Sequence, residues 1–338
     1  MSVTRTIRTA AVIGAVTTLA LTGCSRGGPG AGGSTSSGGG SGKKTATLIM
    51  STLNNPFFVS VKNGAQAQAA KSGVKLSVQN ANNSDSTALN LATTAISKQV
   101  GVLIIDPVSS QSATSSVKQA NGAGIPVLAF DRRPEGGKLS SFIGYDAIQA
   151  GRNSADALAK SLKGKGKVVE IQGLLGTNVA QDRSKGFQEQ IKKYPGIKTV
   201  ARQAANFDRS KGLDVMTNVL QAHPDIDGVY AANDEMAMGA LAALKARHLD
   251  GKVKLVGNDG IADALAAIQE GRMYATNAES PYALGQKVVK LAGATVGGKK
   301  VAAEETLEGE LVTKDNVKEY AQYLVRLGDS ADVPASLR

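Results

Sequence analysis

From residue 45 onward, short runs of apolar residues alternate with longer amphipathic segments. Each run has the length of a buried strand, and each intervening segment has the length of a helix. Alternation of this kind predicts βαβ units and parallel sheets. Because ten strands exceed what one small doubly wound domain needs, we expect an α/β protein of two lobes. The candidate strands are residues 46–50, 74–78, 102–105, 127–130, 141–145, 168–171, 199–203, 228–232, 254–256 and 273–277.

Two segments between these strands show the helical pattern most clearly. Residues 234–247 are rich in Ala, Met and Leu and predict one helix. After Pro56, apolar residues recur every three or four positions on one helix face, namely Phe58, Val61, Ala65 and Ala69. The length of 338 residues agrees with two domains, because single cores stop growing at about 250–300 residues.

Polar side chains follow the ends of six predicted strands. Open α/β sheets bind ligands outside the carboxyl ends of their strands, so six such ends predict a shared cleft. The alternative is that each Asn or Asp only caps the following helix, and for any single position the sequence leaves this open. The residues concerned are Asn54, Asn55, Asp106, Asp131, Arg132, Asn233, Asp234, Asn258, Asp259 and Glu279.

The side chains at these strand ends suit a polyhydroxylated ligand. Amide, carboxylate and guanidinium groups hydrogen-bond neighbouring hydroxyls in fixed directions. Phe57 and Phe58 lie beside the first of these positions, and an aromatic face suits the apolar C–H face of a sugar ring. Packing alone also explains Phe58, which has the spacing of a core-facing helix residue, whereas Phe57 lies off that face.

The first 24 residues have the features of a secretory signal peptide, with two Arg, no acid and a short apolar stretch from residue 10 to 21. The stretch is too short to serve as a transmembrane helix. The ending Leu-Thr-Gly-Cys resembles the bacterial lipobox, which predicts that Cys24 is lipidated. The alternative is an ordinary signal peptide with an incidental Cys. Residues 25–42 contain nine Gly and five Ser and predict a flexible tether.

Composition excludes several classes of protein. With 42% hydrophobic residues the chain is not wholly disordered, and a single Cys excludes an internal disulfide framework or a Cys-cluster zinc site. The net charge of +11 raises nucleic acid or an anionic membrane as partners. Three of the positive charges fall in residues 1–42, and the others are spread without a basic helix. We therefore expect no nucleic-acid partner.

Six segments, taken in order, resemble the bacterial ribose-binding proteins, which are sugar-binding components of ABC importers in the type I periplasmic binding protein family. The resemblance extends over about residues 44–312. It implies two Rossmann-like doubly wound lobes, joined by three hinge strands, that close over one sugar. The segments are residues 51–58, 130–133, 176–187, 206–216, 231–241 and 256–260.

The same resemblance assigns domain limits. It implies an N-terminal lobe of residues 44–146 plus 280–306 and a C-terminal lobe of residues 147–279 plus 307–326. A signal peptide (1–24), a tether (25–43) and a tail (327–338) complete the chain.

Carried over position by position, the resemblance implies twelve ligand-binding residues. They are Asn55, Phe57, Phe58, Asp106, Asp131, Arg132, Arg183, Phe207, Asn233, Asn258, Asp259 and Glu279.

Three of these positions depart from the ribose pattern. Asp106 stands where the family has Asn, Asn258 where it has Phe, and Glu279 where it has Gln. Four carboxylates then face two guanidinium groups, a formal balance of −2. Since a buried polar group that loses its partner costs about 1–3 kcal/mol, we expect the preferred sugar to change. The predicted ligand is a monosaccharide or polyol, with ribose as the default; an amino sugar or another small polar ligand is the alternative.

Two other functions fit the sequence less well. An enzyme is disfavoured because no HExxH or CxxC motif is present and only two His occur. A sugar-responsive repressor shares the expected fold but needs an N-terminal helix-turn-helix, and a secretion signal stands there instead. We therefore expect a monomeric, lipid-anchored protein outside the cytoplasmic membrane, without cofactor or metal. Its partners would be an ABC permease and ATPase, and a chemoreceptor is the alternative.

Overall fold

Residues 44–338 are the part of the chain that the computed structural model describes. The predicted signal peptide, Cys24 and the predicted tether lie outside the described residues. Twelve strands and ten α-helices occupy the described part. The strands are β1 (Thr45–Met50), β2 (Lys75–Asn80), β3 (Val102–Ile105), β4 (Val127–Phe130), β5 (Ser141–Tyr145), β6 (Lys165–Gln172), β7 (Gly196–Ala204), β8 (Gly228–Ala231), β9 (Lys254–Asp259), β10 (Ala275–Ala278), β11 (Glu304–Leu307) and β12 (Glu310–Thr313).

The helices lie between the strands, with one more helix at the end. They are α1 (Pro56–Ser72), α2 (Asp85–Ser97), α3 (Ala113–Gly122), α4 (Ala147–Ser161), α5 (Asn178–Ile191), α6 (Arg209–Ala222), α7 (Asp234–Ala246), α8 (Ala262–Gln269), α9 (Pro281–Val296) and α10 (Val317–Leu327).

The strands form two six-stranded sheets with the same winding. The first has the order β2-β1-β3-β4-β5-β11, and the second has the order β7-β6-β8-β9-β10-β12. All neighbours are parallel except β10 and β12. Central strands such as β3 and β8 are buried along their whole length, as expected for sheets covered by helices on both faces. The predicted α/β architecture of two doubly wound lobes is confirmed.

The chain passes between the lobes three times. It leaves the first sheet after β5 to form α4 and β6, and it leaves the second sheet after β10 to form α9, which packs along α1. It then passes from β11 in the first sheet to β12 in the second. Three connecting segments therefore join the lobes, as the resemblance implied.

All ten predicted strands overlap an observed strand, whereas β11 and β12 were missed. Their sequences, EETL and ELVT, contain no longer apolar run because both are short edge strands in which Val312 is the one buried side chain. Edge strands of this kind carry charge that discourages pairing with other chains.

Residues after α10 pack against the second lobe. Val333 is 1% exposed, and Val333 and Leu337 both belong to the hydrophobic core of that lobe. Asp329 is buried too and accepts a hydrogen bond from the hydroxyl of Ser60 in α1.

Helix capping explains two of the polar residues that follow strands. The Oδ1 atom of Asn55 accepts the N–H of Phe57 at 2.9 Å and starts α1. The Oδ1 atom of Asn233 accepts the N–H of Met236 at 3.0 Å and starts α7. The capping alternative is therefore correct for both, and their positions are considered again below.

Candidate functional site

A cavity lies where the carboxyl ends of the two sheets face each other, with about 270 Å³ of empty space that includes open solvent. Its lining includes nine of the twelve predicted residues: Asn55, Phe57, Phe58, Asp131, Arg132, Arg183, Phe207, Asn233 and Asp259. Val179 completes the lining, and no sequence signal had singled it out. Capping and cavity lining are thus compatible roles for Asn55 and Asn233.

The first-lobe wall combines two aromatic rings with one guanidinium group. The rings of Phe57 and Phe58 meet edge to face, with centroids 5.2 Å apart, and both are also core residues. The guanidinium of Arg132 lies 5.3 Å from the ring centre of Phe58 and 5.7 Å from that of Phe207 in the second lobe. These cation–π contacts hold a planar donor group between rings of both lobes.

Two carboxylates flank Arg132. Its Nε atom is 3.8 Å from Oδ1 of Asp106 and 3.7 Å from Oδ2 of Asp131, while its Nη1 donates to the carbonyl of Pro107 at 3.1 Å. Asp106 lies behind the lining, and its Oδ2 accepts the N–H of Ser51 at 3.0 Å. Burial raises the pKa of Asp106 to about 7, although Arg132 opposes the shift. Burial also raises the pKa of Asp131.

The second lobe presents a guanidinium group held from several sides. The Nη2 of Arg183 donates to both carboxylate oxygens of Glu279 at 2.9 Å. Its Nη1 donates to the carbonyl of Ala232 at 2.9 Å and lies 3.5 Å from Oδ1 of Asp259. The amide of Asn258 donates to Glu279 at 3.1 Å and to Asp259 at 3.3 Å. Arg183 is therefore fixed in one orientation by a closed network of buried groups.

The three departures from the ribose pattern all lie behind the cavity. Asp106 supports Arg132, while Asn258 and Glu279 support Arg183. Burial raises the pKa values of Glu279 and Asp259, and the positive charge of Arg183 opposes both shifts. The predicted role of these three residues in ligand binding stays a prediction, and their geometry places them as supports.

Backbone strain is concentrated among the lining residues. Asp131, Phe207 and Asp259 have φ values of +55°, +61° and +126°, in a region that non-glycine residues rarely adopt. Such conformations persist only where the surrounding structure enforces them, and they are common at ligand sites.

Several buried polar atoms in the cavity walls, and in the residues that support them, lack a hydrogen-bond partner. Within residues 44–338, ten buried side-chain atoms are in this state, and half of them belong to the cavity walls or their supports. An unpaired buried donor or acceptor is costly, so this concentration sets the cavity region apart from the rest of the described residues. The five atoms are Ser51 Oγ, Asp106 Oδ1, Arg132 Nε, Arg183 Nε and Asn258 Oδ1.

Hydrogen bonds between the lobes close one edge of the cleft. The N–H of Ser110 in the first lobe donates to the carbonyl of Gly176 at 3.1 Å, and the N–H of Asn178 donates to the hydroxyl of Ser110 at 3.3 Å. The Oδ1 of Asn178 accepts the N–H of Arg133 at 2.8 Å. These contacts were not predicted, since nothing in the sequence indicates that these residues of the two lobes form hydrogen bonds with each other.

Two other kinds of site are missing from the described residues. Between residues 44 and 338 there is no group of three or more His, Cys, Asp and Glu side chains arranged to hold a metal ion. No helix in the same part of the chain is long and apolar enough to span a membrane.

Comparison with known proteins gives a consistent result. A family model described as periplasmic binding protein domain matches residues 46–300. The ribose import binding protein of Salmonella typhimurium is 41% identical over 274 residues, covering 80% of this chain and 91% of the relative. The xylitol-binding protein of Mycolicibacterium smegmatis is 33% identical over 326 residues, covering 96% of this chain and 90% of the relative.

Solved structures agree with these relatives. An ABC transporter solute-binding protein from Bacillus halodurans with bound myo-inositol superposes with a TM-score of 0.80 at 32% identity. The match covers 83% of this chain and 98% of that protein.

Proposed function

The chain belongs to the family of periplasmic binding proteins, and from this premise we propose that it captures an uncharged monosaccharide or polyol for an ABC importer. The relatives described above are named for ribose and xylitol or hold myo-inositol. All three are small neutral molecules with neighbouring hydroxyls.

One observation carries this proposal most strongly. Each lobe presents a carboxylate beside an arginine, with Asp131 next to Arg132 in the first and Asp259 next to Arg183 in the second. Such pairs supply acceptors and donors in fixed directions, which suits hydroxyl groups on both edges of a sugar. Aromatic rings of Phe58 and Phe207 add apolar faces to the same cavity.

The charge of the cavity walls argues against anionic sugars. Four carboxylates, those of Asp106, Asp131, Asp259 and Glu279, face the two guanidinium groups. Each guanidinium lies beside the protein's own acids, so a sugar acid or a sugar phosphate would have to compete with them. An amino sugar remains the second candidate, because its ammonium would offset the excess of negative charge.

Calorimetric titration with a ligand panel tests the proposal. The panel contains ribose, xylitol, myo-inositol, D-allose, glucosamine, ribose 5-phosphate and gluconate. We expect tight binding of at least one neutral member and none of the two anions. Binding of gluconate or ribose 5-phosphate above all others would contradict the charge argument. Tight binding of ribose alone would contradict the altered specificity that we attribute to Asp106, Asn258 and Glu279.

Closure of the lobes is the proposed mechanism. Ligand contacts from both walls favour the closed form, and the inter-lobe hydrogen bonds of Ser110 and Asn178 are made only when the rims meet. Small-angle scattering is expected to give a smaller radius of gyration with the bound sugar than without it. Equal radii would contradict closure. The same measurement, with light scattering, tests whether the protein is a monomer.

Location and partners complete the proposal. Periplasmic binding proteins of importers act outside the cytoplasmic membrane and deliver ligand to a permease with its ATPase. We propose that Cys24 carries a lipid that anchors this protein there. Sensitivity of precursor processing to globomycin, and its loss in Cys24→Ser, test the anchor. We propose no catalytic step, so the bound sugar is expected to be recovered chemically unchanged.

A further inference from the structure

Asp234 is a buried carboxylate beside the cavity that the proposed binding mechanism does not use. It is the first residue of α7, it directly follows the lining residue Asn233, and its side chain is fully buried. It does not line the cavity itself. An acidic residue in the first turn of a helix interacts favourably with the helix dipole, so a local role would explain its type but not its contacts.

The contacts of Asp234 join three neighbouring strands. Its Oδ2 accepts the N–H of Gly260 at 2.7 Å and that of Ile261 at 3.1 Å, just after β9. Its Oδ1 accepts the hydroxyl of Thr276 in β10 at 2.8 Å. Because Asp234 itself follows β8, the carboxylate links the end of β8 to the end of β9 and to β10.

Glycine at position 257 leaves the space that this carboxylate occupies. A methyl group on Gly257 would lie 2.1 Å from Oδ1 of Asp234, so only glycine fits at that position of β9. Burial raises the pKa of Asp234 to about 7, in spite of its three hydrogen bonds. A residue this costly to bury is expected to perform a task that an apolar residue does not perform.

The backbone beside these hydrogen bonds is strained. Asp259 has a φ of +126° and Gly260 a φ of +82°. The N–H groups that Asp234 accepts are those of the two residues that follow Asp259. By accepting these N–H groups, the carboxylate of Asp234 fixes the peptide units that follow Asp259. It therefore keeps Asp259 from relaxing toward an ordinary conformation.

We propose that Asp234 is a positioning residue, which holds the strained backbone of Asp259 so that its carboxylate faces the cavity and Arg183. This inference rests on the proposed sugar-binding function. It predicts that Asp234 affects ligand affinity through Asp259, although it touches no ligand.

A double-mutant cycle tests whether Asp234 affects ligand affinity through Asp259. In the full chain, Asp234→Ala is expected to weaken affinity about tenfold for the panel sugar that the wild type binds. In an Asp259→Asn background the same change is expected to cost less than about twofold, because the positioned group is already altered. Equal losses in both backgrounds would contradict the proposal, as would an unchanged affinity of Asp234→Ala.

Two further variants keep the test decisive. Asp234→Asn retains an oxygen for the two N–H groups and an NH₂ group for Thr276, so we expect it to restore most of the affinity. If Asp234→Ala does not fold, Thr276→Val replaces it in the cycle, with an expected loss of about threefold that disappears in Asp259→Asn. Persistence of that loss would overturn the proposal.

A matched control and a ligand-free measurement separate this proposal from the proposed function. Asp227 also accepts a backbone N–H, that of Lys167 at 2.7 Å, but at the opposite end of the same sheet. Asp227→Ala is expected to leave affinity unchanged. Hydrogen exchange of the Gly260 and Ile261 amides is expected to accelerate at least tenfold in Asp234→Ala without any sugar. Unchanged exchange contradicts the positioning role, whereas absence of binding by the wild type contradicts only the proposed function.

Discussion

Replacing Glu279 by Gln tests whether the network around Arg183 requires a carboxylate. Both oxygens of Glu279 face only donors, since Arg183 Nη2 contacts both and the amide of Asn258 contacts one. A glutamine supplies one oxygen and one NH₂ group, so a donor must then face a donor. The substitution keeps the shape and removes one buried negative charge.

The cost follows from the contacts that remain. Arg183 keeps the carbonyl of Ala232 at 2.9 Å and Asp259 at 3.5 Å, so it is not left without a partner. The loss is therefore below the 3–5 kcal/mol of a fully broken buried pair and closer to the cost of one unsatisfied buried group, about 2 kcal/mol. For a chain of this size we expect the melting temperature to fall by about 4 °C.

An exposed Arg–Glu pair in the same lobe provides the control. Arg152 and Glu189 lie 3.0 Å apart, with side chains 41% and 46% exposed, whereas those of Arg183 and Glu279 are 4% and 1% exposed. Glu189→Gln is expected to change the free energy of unfolding by less than about 1 kcal/mol. Urea unfolding of both variants without sugar measures the difference. If Glu279→Gln costs no more than Glu189→Gln, the argument for a donor-only environment is wrong.

The identity of residue 258 provides a second check on the same reasoning. Asn258→Phe removes the amide donor that contacts residue 279. In the double variant, the NH₂ group of the glutamine introduced at position 279 therefore no longer faces another donor. We expect the double variant Asn258→Phe and Glu279→Gln to be more stable than the sum of the single changes. Additive losses would show that the two departures from the ribose pattern are independent.

Three other predictions concern pH, closure and packing. The pKa of Asp106 rises from 3.8 to about 7 on folding, so its contribution to stability is complete below about pH 4 and is lost as pH rises through 7. Melting temperatures measured from pH 5 to 8 should therefore fall less steeply in Asp106→Asn, and an unchanged slope would contradict this. Asn178→Ala removes the acceptor for the N–H of Arg133 and should speed sugar dissociation about fivefold in stopped-flow experiments, with little change in the association rate. Gly151→Ala places a methyl 2.1 Å from the carbonyl of Arg183 and should lower both unfolding free energy, by about 1–3 kcal/mol, and sugar affinity.

Much of the fold and part of the site follow from periodicity. Parallel strands bring their carboxyl ends to one edge, so the positions of Asn55, Asp131, Asn233 and Asp259 at one cavity were predictable from strand pattern alone. Arg183 was assigned only by resemblance, because it lies within α5 and helical spacing does not mark it as a ligand residue.

What the sequence left undetermined is the direction of each side chain. Asp106, Asn258 and Glu279 also lie at or just after strand ends. Their side chains, however, lie behind the lining and face the residues around Arg132 and Arg183. Strand pattern places a residue at an edge, but the partner that it finds there depends on long-range contacts. The rim contacts of Asn178 and the backbone bonds of Asp234 were missed for the same reason.

The net charge of the whole chain and the charge of the cleft have opposite signs, and this difference bears on ligand choice. The chain carries +11, whereas the cavity walls and their supports carry four carboxylates and two guanidinium groups. Because the pKa of Asp106 is about 7, this carboxylate is partly protonated at neutral pH, which reduces the formal excess of negative charge. Burial makes this local charge act more strongly than charges on the exposed surface, which solvent and salt screen. A neutral polyol can donate hydroxyl hydrogens to these carboxylates, whereas an anion is repelled by their negative charge. Acidification should therefore weaken discrimination against gluconate as Asp106 takes up its proton. Calorimetry at pH 5 and 8 measures this effect, with Asp106→Asn as the reference that lacks this titrating group.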